Sequence, residues 1–166
     1  MANLATAELC DTYQNHITDG GVRVLQPIFQ SYGRRNSFCG PVATLKVFED
    51  NVIVREMIEE QGKGRVLVVD GGGSLRCALL GGNLAVLAQN NGWNGVIVNG
   101  CIRDVDEINR CDIGVRALAT HPLKSNKKGV GDKNGVVFIG GTRIAHGEWC
   151  CADSDGVIIS PTELSL

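Results

Sequence analysis

Residues 65–120 read RVLVVDGGGSLRCALLGGNLAVLAQNNGWNGVIVNGCIRDVDEINRCDIGVRALAT, and this stretch decides the fold. It contains three near-continuous apolar runs, RVLVVD, GVIVNGC and GVRALAT, which are typical of strands buried on both faces of a sheet. The segment NLAVLAQNNG places Leu84, Leu87 and Ala88 on one helical face and ends at Gly92. RDVDEINRC then turns into a short helix before the third strand. Because strands and helices alternate at this spacing, the sequence predicts an α/β fold with a central parallel βαβ portion.

The flanking segments predict shorter elements around this centre. Thr6 is the expected cap of a first helix in AELCDTY, residues 38–48 (FCGPVATLKVF) form a strand, and Asp50 caps a helix in NVIVREMIEE. After residue 120, the runs GVVFIG, TRIAHGEWCCAD and GVIISP predict short C-terminal strands that complete the same core. The chain has 166 residues, 43% of them hydrophobic, so we expect a single domain over residues 1–166.

The charge balance argues against nucleic acid as a partner. A formal net charge of −2 and a pI near 5.9 supply no field that would hold a polyanion. We therefore expect no direct contact with nucleic acid, and small molecules or other proteins as partners. The N-terminal MANLATAELCDTYQNHI has acidic residues and neither a basic leader region nor a long apolar run, so we also expect no membrane segment.

The cysteine pattern predicts a reducing environment. The seven cysteines are odd in number, lie mostly in hydrophobic stretches and form no CxxC pair. Such usage favours reduced thiols, so we expect a cytoplasmic protein.

Three motifs that could carry chemistry also have simpler structural explanations. GGGSLR fails the dinucleotide pattern G-x-G-x-x-G because Arg76 occupies the third glycine position, so a tight turn is expected. His16, His121 and His146 lie far apart without zinc-ligand spacing, and His121 precedes Pro122 in a predicted turn. KSNKKGVGDK predicts a solvated loop because it lacks aromatic residues for stacking, with contact to an anion or RNA as the alternative.

The strongest candidate site combines GGNLA (residues 81–85) with CIRDVDEI (residues 101–108). Arg103 and Asp104 follow a predicted parallel strand, and ligands of such sheets bind outside the carboxyl ends of the strands. The glycines open a helix whose free backbone N–H groups attract an anion. An alternative interpretation remains: Asp104 and Glu107 match a capping box for the short helix, which would leave Arg103 as a surface charge.

Together these groups suit a small 2-oxo acid as substrate. The Arg103 guanidinium can bind a carboxylate through two hydrogen bonds, and the lone Asp104 carboxylate suits a hard divalent metal that keeps several waters. The metal would polarise the keto oxygen and stabilise the enolate formed when a carbon–carbon bond breaks. A Schiff-base mechanism is disfavoured, because it needs a lysine made nucleophilic by burial or by a nearby cation. Of the six lysines only Lys46 lies in a predicted strand, and we expect it to be exposed.

At these residues the chain resembles the family of regulator of ribonuclease activity A (RraA) and its enzymatic relatives. Those relatives are the class II 4-hydroxy-4-methyl-2-oxoglutarate aldolases, which also decarboxylate oxaloacetate. The resemblance is carried by GGGSLR, GGNLAVLAQNNGWNGVIVNGCIRDVDEI, THPLKSNKKGVG and ADSDGVIIS, and it is of the plant-like branch. It implies a swivelling β/β/α domain in a homotrimeric ring, with active sites near the subunit contacts. It also implies that Gly81, Gly82, Asn83, Leu84 and Arg103 bind the oxo-acid, and that Asp104 holds Mg²⁺ or Mn²⁺.

Asn83 departs from the family pattern, since family aldolases commonly place an acid in this segment. Asparagine cannot act as a general base, although a metal-bound water could take that role. Decarboxylation, which needs only a stabilised enolate and its protonation, is therefore better supported than aldol cleavage. Regulator-type members that lose the metal aspartate resemble inhibitors of an endoribonuclease. A non-catalytic regulator with a ribonuclease or helicase partner is therefore the competing hypothesis, whereas the intact Arg103–Asp104 pair favours a metal-dependent lyase.

Overall fold

The computed structural model describes residues 4–166, which form five α-helices and twelve β-strands. The helices are α1 (Thr6–Thr12), α2 (Gln14–Thr18), α3 (Val52–Glu59), α4 (Gly82–Asn90) and α5 (Val105–Ile108). The strands are β1 (Arg23–Val24), β2 (Gln30–Tyr32), β3 (Phe38–Lys46), β4 (Val66–Asp70), β5 (Ala78–Leu80), β6 (Gly95–Ile102), β7 (Gly114–Thr120), β8 (Asp132–Lys133), β9 (Val136–Ile139), β10 (Thr142–Ala145), β11 (Trp149–Ala152) and β12 (Val157–Ser160). Over the part of the chain that is described, no helix has the length and apolar content needed to cross a membrane.

Ten of these strands form one sheet with a parallel centre. The order is β1-β12-β11-β3-β4-β6-β7-β2, with β5 paired to β6 and β8 paired to β3. Neighbours β3, β4, β6 and β7 run parallel, while β1, β2, β11 and β12 add antiparallel strands at the two sides. β9 and β10 form a separate antiparallel hairpin. The structure therefore confirms the predicted mixed α/β fold, with parallel strands at the centre and short strands from the C-terminal part.

Strand β4 shows why polar and apolar residues do not alternate in the apolar runs. Side chains of successive strand residues point to opposite faces of a sheet. Leu67 and Val69 join the core cluster that includes residues of α3 and α4, whereas Val66 and Val68 join the cluster that includes the β9–β10 hairpin. Because helices cover one face and the hairpin covers the other, every residue of β4 is buried.

The glycine-rich stretch after β4 is a tight turn, as its sequence predicted. The Asp70 carboxylate accepts the N–H of Gly72 at 2.9 Å, and Gly72 has a φ of +68°, a conformation that suits glycine. Glu49 accepts hydrogen bonds from Arg76 and Ser74, both at 2.6 Å, and these bonds lower the pKa of Glu49 to about 2. The charged and hydroxyl groups of this motif thus hold the turn itself.

The first helix has a different N-terminal contact from the one expected. Ala5 is the N-cap residue of α1, so the prediction that Thr6 caps the helix is wrong. The backbone N–H and the hydroxyl of Thr6 instead donate to the two carboxylate oxygens of Asp153, at 2.7 and 2.6 Å. These bonds attach α1 to the connection between β11 and β12, a contact between residues too distant in sequence for local patterns to show.

The cysteines are not all free thiols, which corrects the expectation from their spacing. Cys39 in β3 and Cys151 in β11 are direct cross-strand partners and form a disulfide, although 112 residues separate them in the chain. The register of two non-consecutive strands determines this pairing. Burial raises the pKa of each of the five free cysteines, that of Cys150 to about 12, so their thiolate fractions at neutral pH are small.

Asp50 holds the segment after β7 against the start of α3. The residue is 4% exposed, and its carboxylate accepts the N–H of Val52 at 3.1 Å and those of Lys128, Gly129 and Val130 at 2.9–3.2 Å. Burial by itself raises the pKa of Asp50, but these four hydrogen bonds outweigh burial and hold the pKa below its ordinary value. The lysine-rich segment is therefore a solvated loop, as predicted, and its backbone is tethered to Asp50.

The substitution Asp50→Asn tests this tether. The amide group has one acceptor oxygen and would present N–H donors to the loop amides, so we expect the free energy of unfolding to fall by about 1–3 kcal/mol. Amide hydrogen exchange at residues 128–130 should accelerate. Because the pKa of Asp50 is lowered on folding, the difference should be complete above an unfolded pKa of about 3.9 and vanish at lower pH. Exchange rates equal to those of the exposed control Asp132→Asn would contradict the tether.

Candidate active site

The two predicted site segments meet where β5 and β6 end. β5 ends at Leu80, and Gly81 is the N-cap residue of α4. β6 ends at Ile102, and the backbone N–H of Arg103 donates to the Leu80 carbonyl at 2.9 Å. This bond places the start of α4 beside the Arg103–Asp104 pair, as predicted, although the strand β5 before Gly81 was not predicted.

Asp104 contacts α4 and does not form the predicted alternative, a capping box for α5. It is the N-cap residue of α5 in a left-handed conformation, with φ +59° and ψ +45°, and its side chain makes no capping bond to that helix. Its Oδ2 atom accepts the N–H of Gly82 at 2.9 Å instead. The side chain is therefore directed to the start of α4, which rules out the capping-box interpretation.

Arg103 is held by a carbonyl and not by a carboxylate. Its Nη1 atom donates to the Pro122 carbonyl at 3.2 Å, and its side chain passes 3.7 Å from the position that a Cβ of Gly81 would occupy. Among the described residues, Arg103 forms no ion pair with an acidic side chain. Its charge remains available to an anionic ligand.

The start of α4 is open because two glycines stand there. The first intrahelical bond runs from the Ala85 N–H to the Gly81 carbonyl, so the amides of Asn83 and Leu84 have no partner within the helix. A Cβ at Gly81 would lie 3.0 Å from Asp104 Oδ2, and a Cβ at Gly82 would collide with the carboxylate of Glu107. Glycine at these positions lets both carboxylates approach the helix start without displacement of a neighbouring side chain.

A cavity of about 320 Å³ lies over these groups. On one side it is lined by Gly81, Asn83, Leu84, Arg103 and Asp104, so five of the six predicted site residues line it. Gly82 is buried behind them, in contact with Asp104 and Glu107.

Five further charged residues line the cavity and were not predicted as part of the site. Named here the charged wall, they come from α3 and from the loop after β7, and they are Arg55, Glu56, Glu59, Lys124 and Lys127. The basic loop residues were visible in the sequence, but the expectation of a solvated loop separated them from the site. No local pattern connects α3 with Asp104, because the two are far apart in the chain and come together only in the folded structure.

The donor set fits a magnesium-type ion better than zinc. In the part of the chain that is described, no cluster of three or more His, Cys, Asp or Glu side chains has metal-binding geometry. Zinc sites need three or four protein ligands, whereas Mg²⁺ is commonly held by one or two carboxylates and keeps several waters. Asp104 is exposed, and Oδ2 is the oxygen engaged with Gly82, which leaves Oδ1 for a cation.

The histidines take no part in this arrangement. The Nδ1 atom of His121 accepts the N–H of Leu123 at 3.1 Å, and that of His146 accepts the N–H of Thr44 at 3.4 Å. Both rings therefore serve backbone groups, which confirms the structural interpretation of His121.

The fold and this site define a small α/β protein whose parallel strands end at a cavity with a helix start, an arginine and a lone carboxylate. A family model described as RraA-like, Aldolase/RraA, matches residues 6–159, and the chain belongs to this family.

Two relatives and one solved structure illustrate the similarity. A protein of Arabidopsis thaliana, provisionally named 4-hydroxy-4-methyl-2-oxoglutarate aldolase 3, is 64% identical over 166 residues, the whole of both chains. A Burkholderia multivorans protein with the same provisional aldolase name is 56% identical over 161 residues, 97% of this chain and 98% of the relative. A solved structure described as the RNA-processing inhibitor RraA from Thermus thermophilis has a TM-score of 0.92 at 44% identity, over 99% of this chain and 96% of the other.

The variants Asp104→Asn and Asp104→Ala separate a ligand role from a structural one. Asparagine tolerates the left-handed conformation and keeps an acceptor for the Gly82 N–H, so the free energy of unfolding should change by less than about 1 kcal/mol. Alanine neither tolerates the left-handed conformation well nor accepts the Gly82 N–H, so Asp104→Ala should lower the free energy of unfolding by about 1–3 kcal/mol. Calorimetric titration with Mn²⁺ should show at least about tenfold weaker binding for both variants, because each removes the charge.

The matched control is Arg103→Lys, which should leave Mn²⁺ affinity near the wild-type value. If Asp104→Asn bound Mn²⁺ normally and Asp104→Ala only lowered the melting temperature, Asp104 would be a structural residue.

Proposed function

We propose that the chain is a divalent-metal-dependent lyase that cleaves a carbon–carbon bond in pyruvate-containing oxo-acids. The proposed reactions are aldol cleavage of 4-hydroxy-4-methyl-2-oxoglutarate and decarboxylation of oxaloacetate. The observation that carries the proposal is the meeting of Arg103, Asp104 and the open start of α4 at one cavity. The provisional aldolase names of close relatives support the lyase class.

The start of α4 and the residues after β6 bind the substrate. The Arg103 guanidinium donates hydrogen bonds to the substrate carboxylate, and its bond to the Pro122 carbonyl fixes its orientation. The amides of Asn83 and Leu84 lie at the positive end of the α4 dipole, where they stabilise negative charge on the substrate. These groups are in place before substrate arrives, so little reorganisation is needed.

Asp104 would hold Mg²⁺ or Mn²⁺ through the carboxylate oxygen that does not bond to Gly82. When bound, such an ion polarises the keto oxygen and stabilises the enolate left by carbon–carbon cleavage. The Gly82 N–H keeps the Asp104 carboxylate oriented, and the absence of a side chain at Gly81 allows its approach.

Aldol cleavage also needs a group that takes the proton of the 4-hydroxyl, and Asn83 cannot accept it. We assign this proton to Glu107, whose carboxylate packs against Gly82 at the same helix start. Glu107 does not line the cavity, so its side chain must rotate toward the substrate to act as the base. Glu107 takes the hydroxyl proton as the C3–C4 bond breaks and returns it to C3 of the enolate, which gives two molecules of pyruvate. Loss of CO₂ from oxaloacetate requires no such base.

The same proposal includes a homotrimer in the cytoplasm. The exposed Leu123 lies beside the cavity, because its carbonyl accepts the Ala78 N–H and it precedes Lys124, and both Ala78 and Lys124 line the cavity. A subunit contact at this place would cover the Leu123 side chain. A second candidate function is a non-catalytic regulator that binds a ribonuclease or helicase. Likeness to a structure described as an RNA-processing inhibitor favours it, whereas the arrangement of Arg103 and Asp104 favours the lyase.

Oxaloacetate decarboxylation with and without EDTA tests the lyase. We expect a protein-dependent rate with Mg²⁺ or Mn²⁺, above the rate of the metal in solution, and its loss on chelation because one carboxylate cannot stabilise an enolate alone. Asp104→Asn at the same protein and metal concentrations is the control. The absence of any protein-dependent rate would remove the lyase, and a ribonuclease pull-down would then test the regulator.

The substitution Glu107→Gln separates the two proposed reactions. It keeps the size of the side chain but removes the basic oxygen, so aldol cleavage should fall by about 10²–10⁴-fold. Oxaloacetate decarboxylation should stay within about threefold, since that step needs no base. Both rates are followed as pyruvate or enolate formation. Asp106→Asn, an exposed change on the same helix, is the control, and equal losses in both reactions would show that Glu107 is not the base.

A further inference from the structure

The charged wall lines the same cavity as the proposed substrate groups. Arg55, Glu56 and Glu59 come from the surface of α3, opposite the side on which Val54, Met57 and Ile58 enter the core. Lys124 and Lys127 come from the loop after β7. The wall therefore carries three cations and two carboxylates.

Hydrogen bonds and ion pairs within the described residues engage only part of this wall. Glu56 pairs with Lys133, which lies outside the wall, at 3.3 Å, and Lys127 donates to the Asn51 side chain at 3.1 Å. Neither Arg55 nor Lys124 forms an ion pair with a described acidic residue. With Glu56 neutralised by Lys133, the rest of the wall is net positive, since Glu59 is its only other acid.

The backbone around Lys124 is fixed, although the segment lacks regular secondary structure. The Leu123 carbonyl accepts the Ala78 N–H at 2.8 Å, and the Asn126 N–H donates to the Glu49 carbonyl at 2.8 Å. Ser125, between them, is 5% exposed. The Asp50 tether then holds residues 128–130. A loop held at both ends presents its lysines to the cavity at a low cost in conformational entropy.

The cavity has room for more than one anionic group. Its volume of about 320 Å³ corresponds to roughly ten waters at about 30 Å³ each, more than a three-carbon acid anchored at Arg103 would fill. A longer substrate would extend from Arg103 and α4 toward α3 and the loop. Its far end would then meet Arg55 and Lys124.

We propose that Arg55 and Lys124, assisted by Lys127, bind the second carboxylate of a 2-oxo diacid and make the site selective for diacids over monoacids. The inference rests on the proposed function, because it assumes that Arg103 and α4 bind the 2-oxo acid end. Arg55 supplies a planar pair of donors and Lys124 a point charge, so the two can bind one carboxylate from different sides. Glu59 opposes a second negative charge at the wall, and the two unpaired cations outweigh it.

Binding of 2-oxoglutarate and pyruvate tests the inference without turnover. 2-Oxoglutarate is a 2-oxo diacid that lacks the 4-hydroxyl group needed for aldol cleavage, and pyruvate is the corresponding monoacid. In calorimetric titrations with Mg²⁺ present, the wild-type chain should bind 2-oxoglutarate at least about tenfold more tightly than pyruvate. Arg55→Gln and Lys124→Gln should each weaken 2-oxoglutarate binding by about tenfold and change pyruvate binding by less than about twofold.

A kinetic measurement complements the titration. For oxaloacetate, both variants should raise KM by about tenfold and change kcat by less than about threefold, because the wall binds the substrate without taking part in bond breaking. Arg110→Gln is the matched control, since Arg110 is exposed and does not line the cavity. It should leave every constant unchanged.

Three results would overturn the inference. They are equal affinities of the wild-type chain for 2-oxoglutarate and pyruvate, equal weakening of both ligands in the variants, and no weakening of either. A wild-type chain that binds 2-oxoglutarate selectively but turns over no oxaloacetate would support the diacid site and remove the proposed lyase, so the two failures are distinguishable.

Discussion

The hydrogen bond from the Gly82 amide to the Asp104 carboxylate is the contact on which the site depends. It joins the start of α4 to the residues after β6, next to the backbone bond between Arg103 and Leu80. The absence of side chains at Gly81 and Gly82 leaves free the space that the carboxylates of Asp104 and Glu107 occupy. The two glycines thus allow the carboxylates to approach the helix start closely. Their role is steric, since neither has a positive φ.

The sheet supplies the rigidity that this contact needs. β4 is buried on both faces, since α3 and α4 pack on one face and the β9–β10 hairpin packs on the other. Parallel strands β4, β6 and β7 then end on one side of the sheet, where loops and helix starts carry polar groups without disturbing the core. The left-handed conformation of Asp104 lies at this boundary, where the backbone leaves β6 and turns into α5.

Two groups of residues with different chemistry line the cavity. The first contains Arg103, Asp104 and the start of α4, which suit a 2-oxo acid with a divalent cation. The second contains Arg55 on α3 and Lys124 on the loop that Asp50 tethers. The buried Asp50 carboxylate has no proposed role in the chemistry. Its four backbone hydrogen bonds nevertheless hold the loop after β7 in position.

The sequence by itself determined the parallel βαβ centre, the turn at GGGSLR and the pairing of residues 81–84 with Arg103 and Asp104, because period, turn chemistry and strand ends are local properties. It left open whether Asp104 caps α5, since that depends on where one carboxylate is directed, and the structure directs it to Gly82. It also missed the Cys39–Cys151 disulfide, the Thr6–Asp153 contact and the positions of Arg55, Lys124 and Glu107. Only the tertiary structure decided these, because strand register and the packing of α3 and α5 bring together residues whose proximity no local pattern encodes.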